Sequence, residues 1–258
     1  MSPGLTRDDE SKQQWSGGPI TGDNTGVEFY GTVFALAESP LQKGLLWAGS
    51  DDGLVHLSRD GGAHWEDLTK NVPGLPEWGT VQTLEASPHA AGSAYLVVDG
   101  HRLDDPRPYL WRTDDFGKTW KRITKGLDEA TPLHVVREDP EKKGLLYLGT
   151  ERGVEISWDR GETWTPLSLG LPKALPVHSL VVAQGDLVIG TMGRSIWILD
   201  DLTPIREWAP AIAAAPLHLF PTRNAVRWHH GSRMTDDGSF SNPPTAAMIH
   251  YSLANDAK

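Results

Sequence analysis

The chain has 258 residues, with 24 Lys and Arg against 34 Asp and Glu and a formal net charge of −10. The acidic balance and the lack of any basic stripe argue against a nucleic-acid or anionic-membrane partner. There is no cysteine, which excludes a disulfide framework and Cys-based zinc sites.

No apolar run reaches the length of a membrane span, so no membrane insertion is expected. Met1-Ser2-Pro3-Gly4 shows neither the basic nor the apolar region of a signal peptide. No such peptide is therefore expected, and the compartment is not readable from the chain. This length accommodates one large all-β domain or two smaller ones.

Residues 1–28 are polar and rich in Gly, Asp and Ser and read as an extended lead-in from a missing or preceding blade. From position 29 the pattern becomes regular. Short apolar strands alternate with Gly, Pro and Asp turns in four units, 29–69, 79–124, 131–168 and 176–207. The first unit runs Thr32 to Leu36, a Ser39-Pro40 turn, Leu45 to Ala48, Gly49 to Gly53, Leu54 to Ser58, and Trp65 to Leu68.

Each of the first three units carries one octet. Ser157-Trp158-Asp159-Arg160-Gly161-Glu162-Thr163-Trp164 repeats Thr113 to Trp120 and Ser58 to Trp65. The acid (Asp60, Asp115, Asp159) suits a tight turn as an acceptor of backbone N–H bonds. The glycine (Gly62, Gly117, Gly161) supplies a positive φ. The hydroxyl (Ser58, Thr113, Ser157) bonds locally, and the tryptophan (Trp65, Trp120, Trp164) anchors the turn by burial. Of the 11 Trp, Trp47 and these three fall at repeat positions, which points to packing rather than ligand stacking. The fourth unit has Asp200-Asp201-Leu202-Thr203-Pro204 where an octet would follow, as degenerate terminal repeats do.

Four-stranded units of this period make β-propeller blades. A β-sandwich fits less well, because it needs no internal sequence period. The fold class expected is therefore all-β, a propeller with four blade units present. One short helix is expected around Ala209 to Ala215. Residues 208–244 read as a wrapping segment and linker. Residues 245–258, with one strand in Ala246 to Leu253, read as the start of a truncated β-sandwich-like domain.

The octets resemble the Asp-boxes, or bacterial neuraminidase repeats, of sialidases, family 74 xyloglucanases and sortilin-type propellers. The chain more closely resembles large bacterial sortilin-like, glycosyl-hydrolase-like propeller proteins. The resemblance rests on Ser16 to Thr21 with Asn24 to Glu28, Trp47 to Val55, Leu103-Asp104-Asp105 with Arg107-Pro108-Tyr109, Val135 to Pro140, and Ser195 to Leu202. It implies an exported protein with further blades and a C-terminal β-domain, of which this chain is a fragment.

Propeller geometry sorts the loops onto two faces. The octets and the Ser39-Pro40, Ser87-Pro88 and Asp139-Pro140 turns share one. The loops between second and third strands, and those between blades, share the channel face, where propeller ligand sites are expected. The octet acids are accordingly read as structural.

On the channel face, the ligand-binding candidates are Trp78, His101, Arg102, Arg152, His178 and Arg194. The carboxylates that could act in a hydrolase are Asp51, Asp52, Asp104, Asp105 and Glu151. Glycoside hydrolysis needs two of them across a cleft. The charged loop Asp99 to Pro108 is either a ligand or cation loop or a solvated insertion held by its own Asp–Arg pairs.

A sialidase would need an arginine cluster, for which only Arg102, Arg152 and Arg194 are available, and no Tyr is clearly placed with them. His134 and His178 lie at equivalent points of two inner strands, where structural roles are favoured over ligation. His229-His230 read as loop histidines, and Arg137-Glu138-Asp139 as an inter-blade salt bridge. No metal and no cofactor are expected. The leading functional expectation is a non-catalytic segment binding protein or polysaccharide through the channel face. The alternative is a glycoside-hydrolase-type propeller acting on polysaccharide.

Overall fold

The computed structural model describes residues 4–13, 30–168, 170–172, 174–225 and 247–254. Three antiparallel four-stranded sheets follow one another along the chain. The first is β1 (Val33–Glu38), β2 (Leu46–Ser50), β3 (Val55–Ser58) and β4 (Glu66–Asp67). The second is β5 (Thr80–Ala86), β6 (Ala94–Gly100), β7 (Asp105–Thr113) and β8 (Lys121–Arg122). The third is β9 (Leu133–Glu138), β10 (Leu146–Thr150), β11 (Gly153–Ser157) and β12 (Thr165–Pro166). In each, spatial order equals chain order, the meander of a propeller blade. A fourth sheet has three strands, β13 (Val177–Ala183), β14 (Asp186–Thr191) and β15 (Ile196–Leu199). The outermost strands of the first three sheets are two residues long, because each octet spends its residues on the turn.

All three octets close in the same way. The Ser58, Thr113 and Ser157 hydroxyls accept the Gly62, Gly117 and Gly161 amides at 2.8, 2.9 and 2.8 Å. The same hydroxyls donate to the Asp60, Asp115 and Asp159 carboxylates. Those carboxylates also accept the amides of His64, Thr119 and Thr163, each at 2.9 Å. Thr119 and Thr163 add hydroxyl bonds of 2.7 and 2.6 Å. His64 replaces them with a ring nitrogen 2.6 Å from Asp60, so the first octet keeps the geometry without the hydroxyl. The His64 amide, the His64 ring and Ser58 together hold the Asp60 carboxyl down at about 2.

The octets also join blades. The Trp164 indole N–H donates to the Ile123 carbonyl of the preceding blade at 2.7 Å. The Trp120 ring meets Trp47 of the preceding blade edge-on, with centroids 6.0 Å apart. Gly117 and Gly161 lie so close to Leu68 and Ile123 of the preceding blades that a Cβ would stand 2.3 and 2.5 Å from those side chains. Between blades the core is continuous: Trp47, Leu57, Leu68, Val81, Leu84 and Trp111 belong to one buried cluster. Tyr95, Leu110, Ile123, Leu133 and Leu148 belong to the next.

The chain divides into two compact units, one of residues 1–182 and 188–198, the other of 183–187 and 199–258. The second contains helices α1 (Thr203–Glu207) and α2 (Pro210–Ala214), each with Pro in its first turn. It also holds the strand pair β16 (Leu217–Leu219) and β17 (Tyr251–Leu253). The strand expected in Ala246 to Leu253 is seen at Tyr251–Leu253, paired with β16. The lead-in positions 14–28, most of the linker up to 244, and His229-His230 lie outside the described residues. Among the described residues no helix is long and apolar enough to cross a membrane.

Gly161→Ala is expected to cost about 2–4 kcal/mol, from a positive φ of 82° and from overpacking against Ile123. Gly61→Ala, at φ 73° with open space around it, should cost only about 1 kcal/mol. Urea unfolding of both variants checks this. Equal losses would show that inter-blade contact is not what the octet glycine serves.

Candidate functional site

The inner strands β1, β5 and β9 run alike, and their two ends differ in chemistry. Leu146 pairs with both Glu138 and Ser157, so the end of β9 and the octet share one face. Thr150 pairs with Leu133 and Gly153, which puts the β10–β11 turn at the start of β9, on the channel face.

Each inner strand carries a bulge near its channel-face end. Pairing skips Phe34 in β1, Gln82 in β5 and His134 in β9. His178 holds the equivalent sequence position in β13. A bulge leaves its extra residue unpaired and re-aims its side chain. His134 and His178 lie face to face, with ring centroids 3.9 Å apart and planes at 16°. Glu151, from the β10–β11 turn, lies 2.8 Å from His134 Nε2. His134 is buried and His178 exposed. Partial desolvation first, and then the neighbouring His134, holds the His178 imidazole below its ordinary range.

In the first two blades the channel face is built around Tyr30 and Trp78. Both hold positive φ, 65° and 66°, immediately before a Gly-Thr pair that opens the inner strand. Their rings lie 5.4 Å apart. Arg102 sits over Tyr30 at 5.6 Å and 4.0 Å from Asp51. Arg7 sits over Trp78 at 4.7 Å. Asp51 accepts the Thr32 amide at 2.8 Å. Asp52 accepts the Arg7 amide at 2.6 Å and the Ser50 hydroxyl. Asp51, Asp52, Trp78 and Arg102 are thus brought together, with residues of the lead-in laid over them.

The expected long loop Asp99 to Pro108 is mostly strand. β6 continues to Gly100 and β7 begins at Asp105, leaving a tight turn in which Asp104 takes a left-handed conformation, φ 54°. Asp105 is held by Arg107 at 2.6 Å and by the Tyr109 hydroxyl at 2.6 Å. The Arg107 bonds, ahead of that from Tyr109, keep its carboxyl far below the usual range. The His101 ring pairs with Asp99. The three arginines of the supposed cluster take separate partners. Arg102 lies by Asp51, Arg152 pairs with Asp128, and Arg194 lies in the β14–β15 turn, where its carbonyl accepts the Trp197 indole N–H at 2.9 Å.

The opposite end of the inner strands holds a cavity of about 400 Å³, lined by Glu38, Glu85, Arg137, Glu138, Val181 and neighbouring prolines. Glu38 and Glu138 accept the Gly44 and Gly144 amides at 2.8 and 3.0 Å, a repeated turn lock. Glu85 pairs with Arg137 at 3.0 Å. Arg137 also reaches the Leu180 carbonyl of the fourth blade at 3.0 Å. Burial pushes the Glu85 carboxyl up to about 7, against the pull of Arg137. Sequence reasoning did not single out Glu85, because its burial depends on a blade that begins about fifty residues later.

No family model and no curated protein matches the chain. Among solved structures, it is similar to a GH74 xyloglucanase from Xanthomonas campestris. The two are 17% identical, with a TM-score of 0.50, over 65% of this chain and 29% of that one. An ancestral GH74 enzyme is 19% identical, with a TM-score of 0.50, over 63% of this chain and 22% of that one. YCF48 bound to D1 peptide is 20% identical, with a TM-score of 0.46, over 67% and 51% of the two chains. The first two likenesses show the β-propeller fold. The chain spans less than a third of the length of either GH74 structure.

Glu85 binds more protons in the folded than in the unfolded chain between 4.5 and about 7. Its contribution to stability is therefore full at low pH and is lost as pH rises through about 7. Glu85→Gln is expected to flatten this slope by about 2–3 kcal/mol. The measurement is the wild-type minus variant difference in urea stability at pH 4.5 and pH 8. Parallel pH curves for the two proteins would refute it.

Proposed function

We propose that this chain is a non-catalytic segment of an Asp-box, sortilin-like propeller, and that it binds a protein or polysaccharide ligand through its channel face. One observation carries the reading. Three of the five carboxylates that a hydrolase could use on that face serve as structural acceptors: Asp51 for the Thr32 amide, Asp52 for Ser50 and Arg7, and Asp105 for Arg107 and Tyr109. A general acid needs a raised pKa, and Asp105 is shifted the other way. The exposed side chains of His101, Arg102, Arg152 and Arg194 supply the polar contacts that a ligand would meet. The Asp-box resemblance supports export of the protein and further blades that would cover the exposed Phe34 and Leu36 of β1.

The second reading, a glycoside hydrolase, is favoured by Glu85. A carboxyl raised to about 7 beside Glu138 in a cavity has the protonation state of a general acid. It lies on the octet face, whereas the carboxylates expected to serve a hydrolase, Asp51, Asp52, Asp104, Asp105 and Glu151, lie on the channel face, so the assay tests both sets.

Calorimetric titration with xyloglucan oligosaccharides and with a defined extended-peptide panel separates them, alongside a reducing-sugar assay on the same glycans. Binding without turnover is expected, weakened about tenfold in the His101→Ala/Arg102→Ala double variant, as for a lost charge-assisted contact. Sugar release abolished by Glu85→Gln, Asp104→Ala or Asp105→Ala would replace this reading with the enzyme.

A further inference from the structure

We propose that His134, Glu151 and His178 form a site for a divalent transition metal of the zinc class, bridging the third and fourth blades. The ligand reading above does not depend on it.

The three side chains come from three elements: the β9 bulge, the β10–β11 turn and β13. Each offers one donor atom, and all the donors lie within 4.8 Å of one another. Two imidazoles and one carboxylate are a donor set that suits zinc and leaves coordination positions for water or a ligand atom. Calcium and magnesium prefer all-oxygen sites, so a His-rich set selects against them.

The surroundings favour convergence. The bulge removes His134 from the ladder, and its ring packs against that of His178. That ring is only 7% exposed, and among the described residues its buried Nδ1 has no hydrogen-bond partner. Such a nitrogen is costly as it stands and is uncommon in native interiors. The Thr83 hydroxyl of the second blade holds the His134 carbonyl at 2.8 Å, which fixes the backbone beneath the ring. Glu151, bonded to His134 Nε2 at 2.8 Å, brings its carboxylate to the imidazole edge. His178 is stacked rather than edge-on to His134. Its exposed side chain can turn about its own χ angles to present a nitrogen without moving β13. The Asp99 carboxylate acts electrostatically on His178 and adds negative potential for a cation.

The test is zinc binding by the full chain after chelator treatment and gel filtration, read by competition with a chromophoric chelator. One equivalent is expected, with affinity falling at least about tenfold in His178→Ala and in Glu151→Gln. Both substitutions are at exposed positions, so circular dichroism should show the fold retained. Cobalt(II) should give visible d–d bands that His178→Ala alters. Zinc should raise the melting temperature of the wild type and not that of His178→Ala. The His229→Ala/His230→Ala double variant should bind as the wild type does. Undiminished zinc affinity in His178→Ala, loss of the equivalent in the His229/His230 variant, or no zinc bound at micromolar concentration would overturn the proposal.

Discussion

The contact that the blades depend on is the seat of each octet against the blade before it. Trp164 gives its indole N–H to Ile123, and Gly161 leaves Ile123 no room for a Cβ. Gly117 does the same for Leu68, and Trp120 meets Trp47. A propeller blade cannot bury both faces by itself, so its stability resides in these interfaces. The octet is therefore doubly determined. Its hydroxyl and acid close a turn within the blade, while its glycine and tryptophan fit the neighbour. For Gly62, in the first octet, the nearest described neighbours of a Cβ are Trp65 and Leu46, at ordinary contact distance, consistent with the neighbour setting the tighter requirement elsewhere.

A second set of ties runs through polar groups and grades from rim to channel. The Arg112 guanidinium reaches the Arg160 carbonyl at 2.8 Å, and Lys121 meets Glu162 at 2.6 Å near the outer strands. Asn71 bonds the Gly117 carbonyl at 3.0 Å. Nearer the inner strands, His89 meets the Asp139 carbonyl at 2.8 Å and Thr83 that of His134. The exposed ion pairs contribute little individually. Bonds to buried carbonyls matter more, because an orphaned carbonyl is costly. The Thr83 bond fixes the backbone at the point from which the bulged His134 side chain projects.

The fold was legible because its signals are local. Hydroxyl, acid, glycine and tryptophan act within eight residues, so three copies declare three turns whatever surrounds them. The channel face was legible only in outline. Asp51 and Asp52 stand in the β2–β3 turn, but their partners Thr32 and Arg7 lie 19 and 45 residues away, and spacing carries no trace of that pairing. Asp99 to Pro108 looked like a loop because Pro106 and Pro108 break the strand pattern. In the structure both sit in β7, where strand pairing is recorded only at Asp105 and again from Tyr109, so neither proline interrupts the ladder. Glu85 carried no signal, since its shift comes from burial by a later blade. One missed signal was available: Tyr30-Gly31-Thr32-Val33 and Trp78-Gly79-Thr80-Val81 are one motif twice.

That motif bears on where the molecule keeps strain. Tyr30 and Trp78 are bulky residues with positive φ, a conformation that costs about 1–3 kcal/mol per residue and persists only when its surroundings hold it. Here the holders are Arg7, Arg102 and the two rings themselves. Four residues beyond each strained position stands the bulge, Phe34 or Gln82. The entry to the inner strand is thus irregular in backbone angle and then in pairing, while the octet face repeats regular turns. Regularity on one face makes the blades stackable. Irregularity on the other frees Phe34, Gln82 and His134 from the ladder, and these side chains differ from blade to blade. Side chains released from the ladder can vary without disturbing the contacts that stack the blades.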